Sequence, residues 1–405
     1  MMNHYIDKIK KIELNNIIYF FWGIYVLANF LSMVGIICAN DLCLISLKYI
    51  RYICYLVFAV KIYYDSRKDK KISIIFIVLF IIAIMITILA KNNGIICTLI
   101  TLAALKKLDF DKLIKIAFKI FSVAFFITVG LTLLKILPNW EFNRGTLTRY
   151  SLGFDYAATG VSVYLVTIMM YFYIRKNNAT YMELLVLEII NIFVYRYTDG
   201  RLGFVLITLI LFLQLLSKFE FIINAFNSKF IQKLLKIICH TLPIILFILY
   251  HLLIIMYANN SPIANKANKL LSNRIKLTYQ AYRNYDVKLF GDDIKWYSWA
   301  GYGYSETDED FTYNLVDTAY SRMIFDYGLI FSALLILGYR EILIKNYNQK
   351  NYWLLFVIIF VLIWAFLEPI ILNLGRNAFV LALMPLLDIG QIELSKKEKN
   401  NTEQL

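Results

Sequence analysis

The stretch 258–318, ANNSPIANKANKLLSNRIKLTYQAYRNYDVKLFGDDIKWYSWAGYGYSETDEDFTYNLVDT, is the one long polar interval in a chain otherwise built of apolar runs. It separates two runs of membrane length, 237–257 and 319–339, and holds seven Lys/Arg and eleven aromatics between Tyr279 and Tyr313. An acidic cluster, Asp308, Glu309 and Asp310, lies near its end. Such a loop is too long for a mere connection and too aromatic for a disordered segment, so a folded, function-bearing cap is expected. Aromatic faces among charges and amides suit sugar rings.

Outside this interval the composition decides the class. The 405 residues are 60% hydrophobic, with a mean hydropathy of +0.63, far beyond a soluble domain. The expected fold is therefore an all-α polytopic membrane protein. Apolar segments can be drawn at 17–39, 44–64, 72–90, 93–105, 116–137, 153–174, 181–197, 202–216, 237–257, 319–339, 352–372 and 375–388, about twelve transmembrane helices in all. The fourth, eighth and twelfth are the shortest. The first follows MMNHYIDKIKKIELNN with no small-residue cleavage site and reads as a retained helix.

Charge assigns the sides. With the N-terminus inside, 23 Lys/Arg fall in inner stretches, against only Lys91, Arg144, Arg149, Arg201 and Arg376 in the short outer loops. The positive-inside rule then puts both termini in the cytoplasm and the long loop outside. The layout is helices 1–9 over 1–257, the extracytoplasmic cap over 258–318, helices 10–12 over 319–388 and a cytoplasmic tail over 389–405. Topology thus accounts for the net charge of +14, and no nucleic-acid partner is expected. Within 217–236, Phe219, Phe226, Phe230 and Leu234 recur as on a helix lying along the inner membrane surface. The five cysteines, odd in number and without a CxxC pair, read as structural thiols, and no His/Cys cluster suggests a metal or other cofactor.

Arginine dominates the outer loops. Arg144 and Arg149 precede helix 6, Arg201 opens helix 8 and Arg376 opens helix 12. Guanidinium groups stay charged and donate in pairs, which suits a pyrophosphate or an anionic glycan; headgroup anchoring is the plainer alternative for each. In Tyr197-Thr198-Asp199-Gly200-Arg201 a helix N-terminus adds backbone donors, with Asp199 as the expected N-cap. In the cap, Ile275, Tyr279 and Tyr282 share one helical face, whereas Arg274 and Arg283 fall on opposite sides. Asp317 and Tyr320, three apart, can present a carboxylate and a phenol together at the mouth of helix 10, unless Asp317 only caps that helix. Arg322 and Asp326, four apart, can pair with each other. Glu368, inside an apolar run, costs on the order of 3 kcal/mol to insert and is a functional candidate for that reason, as a base or as a counter-ion to Arg376 or Arg201.

Taken in order, these pieces resemble the Wzy-type polysaccharide polymerases of capsule and exopolysaccharide synthesis, more distantly akin to O-antigen ligases. The likeness rests on Arg149-Tyr150-Ser151-Leu152-Gly153-Phe154, on the turn from Thr198 to Arg201, and on Asn273-Arg274-Ile275 with Leu289-Phe290-Gly291 in the cap. It continues with Asp317, Tyr320 and Tyr327-Gly328-Leu329-Ile330, then with Glu368 and Asn377. It covers about residues 145–380, and before that only the hydropathy matches. Where many relatives carry a histidine after the Ser-Leu-Gly-Phe run, this chain has Tyr156-Ala157-Ala158, and Gly200 stands where the loop arginine is usually preceded by serine. Ligases use a histidine in the long loop; this loop has none, since His240 and His251 lie in helix 9.

The resemblance implies a glycosyltransferase of the bacterial cytoplasmic membrane that joins undecaprenyl-pyrophosphate-linked oligosaccharide repeat units at the outer face, without a metal. Arg149, Arg201, Arg274 and Arg376 would hold pyrophosphate or glycan, and Asp317, Glu368 and Tyr320 would serve the acceptor hydroxyl. A flippase and a chain-length regulator of the same pathway are the implied partners beside membrane lipids. The competing expectations are a ligase and a lipid-linked glycan flippase; the latter predicts repeated halves with Gly/Pro-broken helices, which the sequence does not display.

Overall fold

The computed structural model describes residues 2–69, 71–144, 147–297, 314–388 and 391–393. The acidic trio Asp308, Glu309 and Asp310, the aromatics from Trp299 to Tyr313 and the tail from 394 onward lie outside the described residues. The fold is nearly all-α. Helices α1 (Met2–Leu31), α2 (Gly35–Cys38), α3 (Asp41–Asp69), α4 (Ile74–Leu89), α5 (Gly94–Leu105) and α6 (Phe110–Leu133) make the first half. The second half has α7 (Ala157–Arg175), α8 (Tyr181–Thr198), α9 (Arg201–Leu216), α10 (Glu220–Phe226) and α11 (Lys229–Ala258). After α12 (Pro262–Leu270) and α13 (Arg274–Asn284) of the cap come α14 (Ala319–Asn348), α15 (Tyr352–Trp364) and a 3-10 run, Ala378–Asp388. Two small antiparallel sheets complete it: β1 (Lys71–Ser73) with β4 (Gln391–Glu393), and the hairpin of β2 (Glu141–Arg144) with β3 (Leu147–Tyr150).

Among the described residues six helical stretches are long and apolar enough to cross a membrane: Glu13–Leu31, Asp41–Arg67, Phe110–Leu133, Ala157–Asn178, Lys229–Ala258 and Ala319–Asn348. The pair α9 and α10, bent by 101°, makes a seventh if read as one span, while α4, α5, α15 and the 3-10 run are shorter. Their outward faces are apolar, with Ile81, Ile88, Leu185, Ile189, Ile245 and Ile248 exposed, as an acyl-chain solvent requires. α7 is the central helix. Nearly all its residues are buried, and α6, α8, α9 and α15 pack around it.

Local chemistry sets the helix ends. Asp109 caps α6 by accepting from the backbone N–H of Asp111 and Lys112, and Thr180 with Glu183 forms a capping box on α8. The inner-surface helix expected over 217–236 is interrupted: α10 stops at Phe226, and Ser228 caps a new helix through the N–H of Ile231. The eleventh apolar run also ends early. α15 stops at Trp364: Pro369 has no N–H for the Ala365 carbonyl, which accepts from Ala319 instead, so Glu368 lies in the turns beyond the helix. The twelfth run is a 3-10 helix containing Pro385.

The cap is tied into α14. At Gly328 (φ 81°, ψ 171°) the helix is broken, and the bent chain at 288–292 enters the break. Asp292 donates to the Phe325 carbonyl at 2.9 Å, Leu329 to Lys288 at 3.1 Å and Ile330 to Leu289 at 3.3 Å. Both Gly291 and Gly328 have φ of 81°, and a Cβ on either would strike backbone of the other segment. Only glycine meets both demands. Beneath the cap, Ile275, Thr278 and Ala281 are buried as α13 packs on α11, with Tyr279 and Tyr282 partly covered on the same side.

Candidate functional site

Arg274 is the first residue of α13 and reaches out of the cap toward two carboxylates. Its Nε stands 3.3 Å from Asp317 Oδ2, and its Nη2 stands 3.9 Å from Glu368 Oε1. Arg274, Asp317 and Glu368 keep 21%, 20% and 18% of their side-chain surfaces exposed, so the group is sheltered but open to a ligand. Asp317 does not cap α14. Thr318 occupies that position without a side-chain bond, which leaves Asp317 to the arginine.

Burial pushes the Asp317 carboxyl above its ordinary range, against the charges of Arg274 and Arg322. Glu368 is raised as well, to about 7, again chiefly by burial. Arg274 and Arg376 oppose that rise, while Asp317 and Asp155 add to it. Asp155 is a member that sequence reasoning missed. Only 7% exposed, it sits between Phe154 and the start of α7, with no hydrogen-bond partner for Oδ1 among the described residues. Burial pushes its carboxyl up as well, against the charge of Arg376 and a hydrogen bond with Thr159. A carboxylate standing immediately before an apolar span was the available signal. The site thus joins three acids to two arginines drawn from four separate segments of the chain.

A second group adjoins it along the segment 149–156. Arg149 is turned inward, 7% exposed, and its Nε donates to the Thr198 carbonyl at 2.6 Å, with the guanidinium 5.6 Å from the Tyr156 ring centre. It therefore braces the turn that presents Arg201. Arg201 is 65% exposed and lies 3.3 Å from Asp199 Oδ1. Asp199 is not the N-cap of α9, a place taken by Gly200; at φ 45° it closes α8. Glycine is required at 200 and 203 for contact, since a Cβ at either would strike Val161 of α7.

Two expected members are placed elsewhere. Tyr320 is fully buried, with its hydroxyl donating to the Leu362 carbonyl at 2.7 Å and its ring against Phe366, so it locks α14 to α15. Asn377 is also buried. Its amide holds the turn between Ile370 and Phe379 instead of meeting Glu368. Arg322 pairs with Asp326 at 2.7 Å, as their spacing suggested, and stacks over Trp296 at 4.4 Å. Arg144 lies in β2. His251 meets the cap from α11 below, its Nε2 2.9 Å from the Tyr282 hydroxyl. Compared with protein-family models, curated proteins and solved structures, the chain gave no match to any of the three.

Proposed function

We propose that the chain is a polysaccharide polymerase of the bacterial cytoplasmic membrane, joining undecaprenyl-pyrophosphate-linked repeat units at the outer face. The observation that carries this reading is the reach of Arg274 to both Asp317 and Glu368. These are three of the residues on which the resemblance to Wzy-type polymerases rests, and the sequence separates them by 43 and 51 positions. The other motifs meet as well: Leu289-Phe290-Gly291 bonds to the Tyr327–Ile330 break, and Arg149 bonds to the Thr198–Arg201 turn. Such convergence is what a shared site requires of motifs scattered along a chain.

In the reaction, a hydroxyl at the non-reducing end of a new lipid-linked unit attacks the anomeric carbon of the growing glycan. A bond forms from that oxygen to the carbon, and the bond from the carbon to the phosphate oxygen breaks. Undecaprenyl pyrophosphate leaves with the bonding electrons, and the hydroxyl proton passes to Glu368 or Asp317. A carboxylate raised to about 7 is matched to that task, since it is part ionised near neutral pH and basic enough to take a proton. Arg274, Arg376 and Arg201 offset the charge on the departing diphosphate, and Arg149 holds the Arg201 turn in place. With both termini in the cytoplasm and about twelve apolar runs crossing or entering the membrane, the cap and this site face outward. Membrane lipids surround the protein, and a flippase and a chain-length regulator of the same pathway are its natural partners.

The test is a glycan-length profile from membranes supplied with purified lipid-linked repeat units, with the protein and without it. A ladder that appears only with the protein is expected. Units that stay single despite folded protein overturn the reading in favour of a ligase or a lipid-linked glycan flippase.

A further inference from the structure

We propose that Lys48 and Arg51 form a separate anion site that takes the diphosphate of a lipid-linked glycan in a chamber beside the Asp317–Glu368 pair. The chamber encloses about 460 Å³ between α1, α3, the starts of α5 and α14, and the segment 369–375. That is room for a phosphorylated sugar, within the usual range of roughly 300–1,000 Å³ for small-molecule sites. Three cations and one carboxylate, Asp326, line it. Arg322 is engaged by Asp326 at 2.7 Å and by the Trp296 ring, which leaves Lys48 and Arg51.

Among the described residues neither Lys48 nor Arg51 has a carboxylate within 4.0 Å. The nearest polar contact of Arg51 is a long one, 3.5 Å to Ser32 Oγ, and Lys48 stands 5.8 Å from the Tyr52 ring centre. Three residues apart, they share a face of α3, on the order of 10–15 Å inside its start at 1.5 Å per residue. Positive charge there is not the loop charge that topology explains. A paired set of cations without a counter-ion in a spanning helix is costly and calls for an anion. The neutral lining says which kind: the amides of Asn29, Asn93 and Asn373 with Tyr25 and Tyr52 offer the bonds and ring faces a sugar uses.

The chamber borders the site without including it, since none of Arg274, Asp317 and Glu368 lines it. Pro369 follows Glu368, and Arg322 bears on the charge of Asp317. A glycan anchored by its diphosphate at Lys48 and Arg51 would extend past Pro369, the residue after Glu368, toward the two carboxylates. The choice of a lipid-linked diphosphate rests on the polymerase reading; the anion site itself does not.

Titration calorimetry on the purified protein, with farnesyl pyrophosphate, inorganic pyrophosphate and glucuronate as probes, tests the proposal. Farnesyl pyrophosphate should bind at least as tightly as inorganic pyrophosphate and more weakly as salt is raised. Lys48→Gln with Arg51→Gln should weaken it tenfold or more. An unchanged isotherm in a double variant of unchanged thermal midpoint overturns the site. Should the double variant not fold, Lys48→Gln alone, at an exposed position, should weaken binding about threefold, and an unchanged affinity there overturns it equally. Rejection of farnesyl pyrophosphate, or preference for glucuronate, overturns the lipid-linked diphosphate. An unchanged isotherm in a protein that still makes a ladder sinks the chamber alone. Lost binding in a protein that never made a ladder leaves the anion site standing and removes the polymerase reading.

Discussion

Glu368 is raised by burial to about 7 from an ordinary value of 4.5, and that shift makes two measurable statements. As a base it works only when ionised, so polymerisation should climb with pH through about 7, and Glu368→Gln should abolish both the climb and most of the activity. A flat profile between pH 6 and 8 would remove Glu368 as the base. Because the folded protein favours the protonated form, the stability tied to this group is present below pH 4.5 and is lost as pH rises through about 7. The melting temperature should therefore fall over that window in the parent and less in Glu368→Gln. Arg274 holds both carboxylates toward their ionised forms, so Arg274→Lys, which keeps the charge but loses the planar fork, should lower the rate at least tenfold. Arg274→Gln should in addition move the ascending limb to higher pH. A variant at full rate with an unmoved limb would show that Arg274 serves only the fold. The sequence made Arg274, Asp317 and Glu368 legible because charge is rare and costly in such surroundings. It hid Asp155, Lys48 and Arg51, which fall at or inside runs whose apolar average masks them.

The break in α14 links the cap to the membrane helices, and its geometry depends on two glycines. Gly328→Ala places a methyl against the Leu289 carbonyl in a backbone region that costs an L-residue about 1–3 kcal/mol, and Gly291→Ala places one 2.6 Å from the Asp326 oxygen. Each should lower the melting temperature by several degrees and speed hydrogen exchange in 286–297. A substitution that leaves exchange there at the parental rate would mean the cap docks without this seam. α14 itself was legible as an apolar run opening near Ala319; its interruption was not, because one glycine in such a run reads as tolerated. Hydropathy equally could not tell where α15 stops or that Ala378–Asp388 is a 3-10 helix, since composition reports burial and lipid exposure but not backbone geometry. The Pro369 that ends the helical backbone was visible, and weighting it would have moved Glu368 out of the helix.

At the scale of the molecule, several connections between distant stretches fall into two sets. β1 pairs with β4, Lys106 bonds Asp388 at 2.7 Å, Lys107 lies 3.7 Å from Asp65, and Tyr352 donates to Gln232 at 3.1 Å. All these lie in, or at the end of a run next to, stretches that the charge count puts in the cytoplasm. The other set joins Val34 to Phe154, Lys91 to Asp293, Arg149 to Thr198, and Arg274 to Asp317 and Glu368, all from stretches the count puts outside. The sidedness read from the charge asymmetry is open to a direct test. A membrane-impermeant maleimide applied to intact cells should therefore label Lys276→Cys in the cap, and should label Lys229→Cys, at the start of α11, only after the membrane is opened. Native Cys43, exposed where α3 begins, should react from outside as well. Labelling of Lys229→Cys in intact cells would invert the molecule and put Glu368 in the cytoplasm, where no lipid-linked unit delivered to the outer leaflet could meet it.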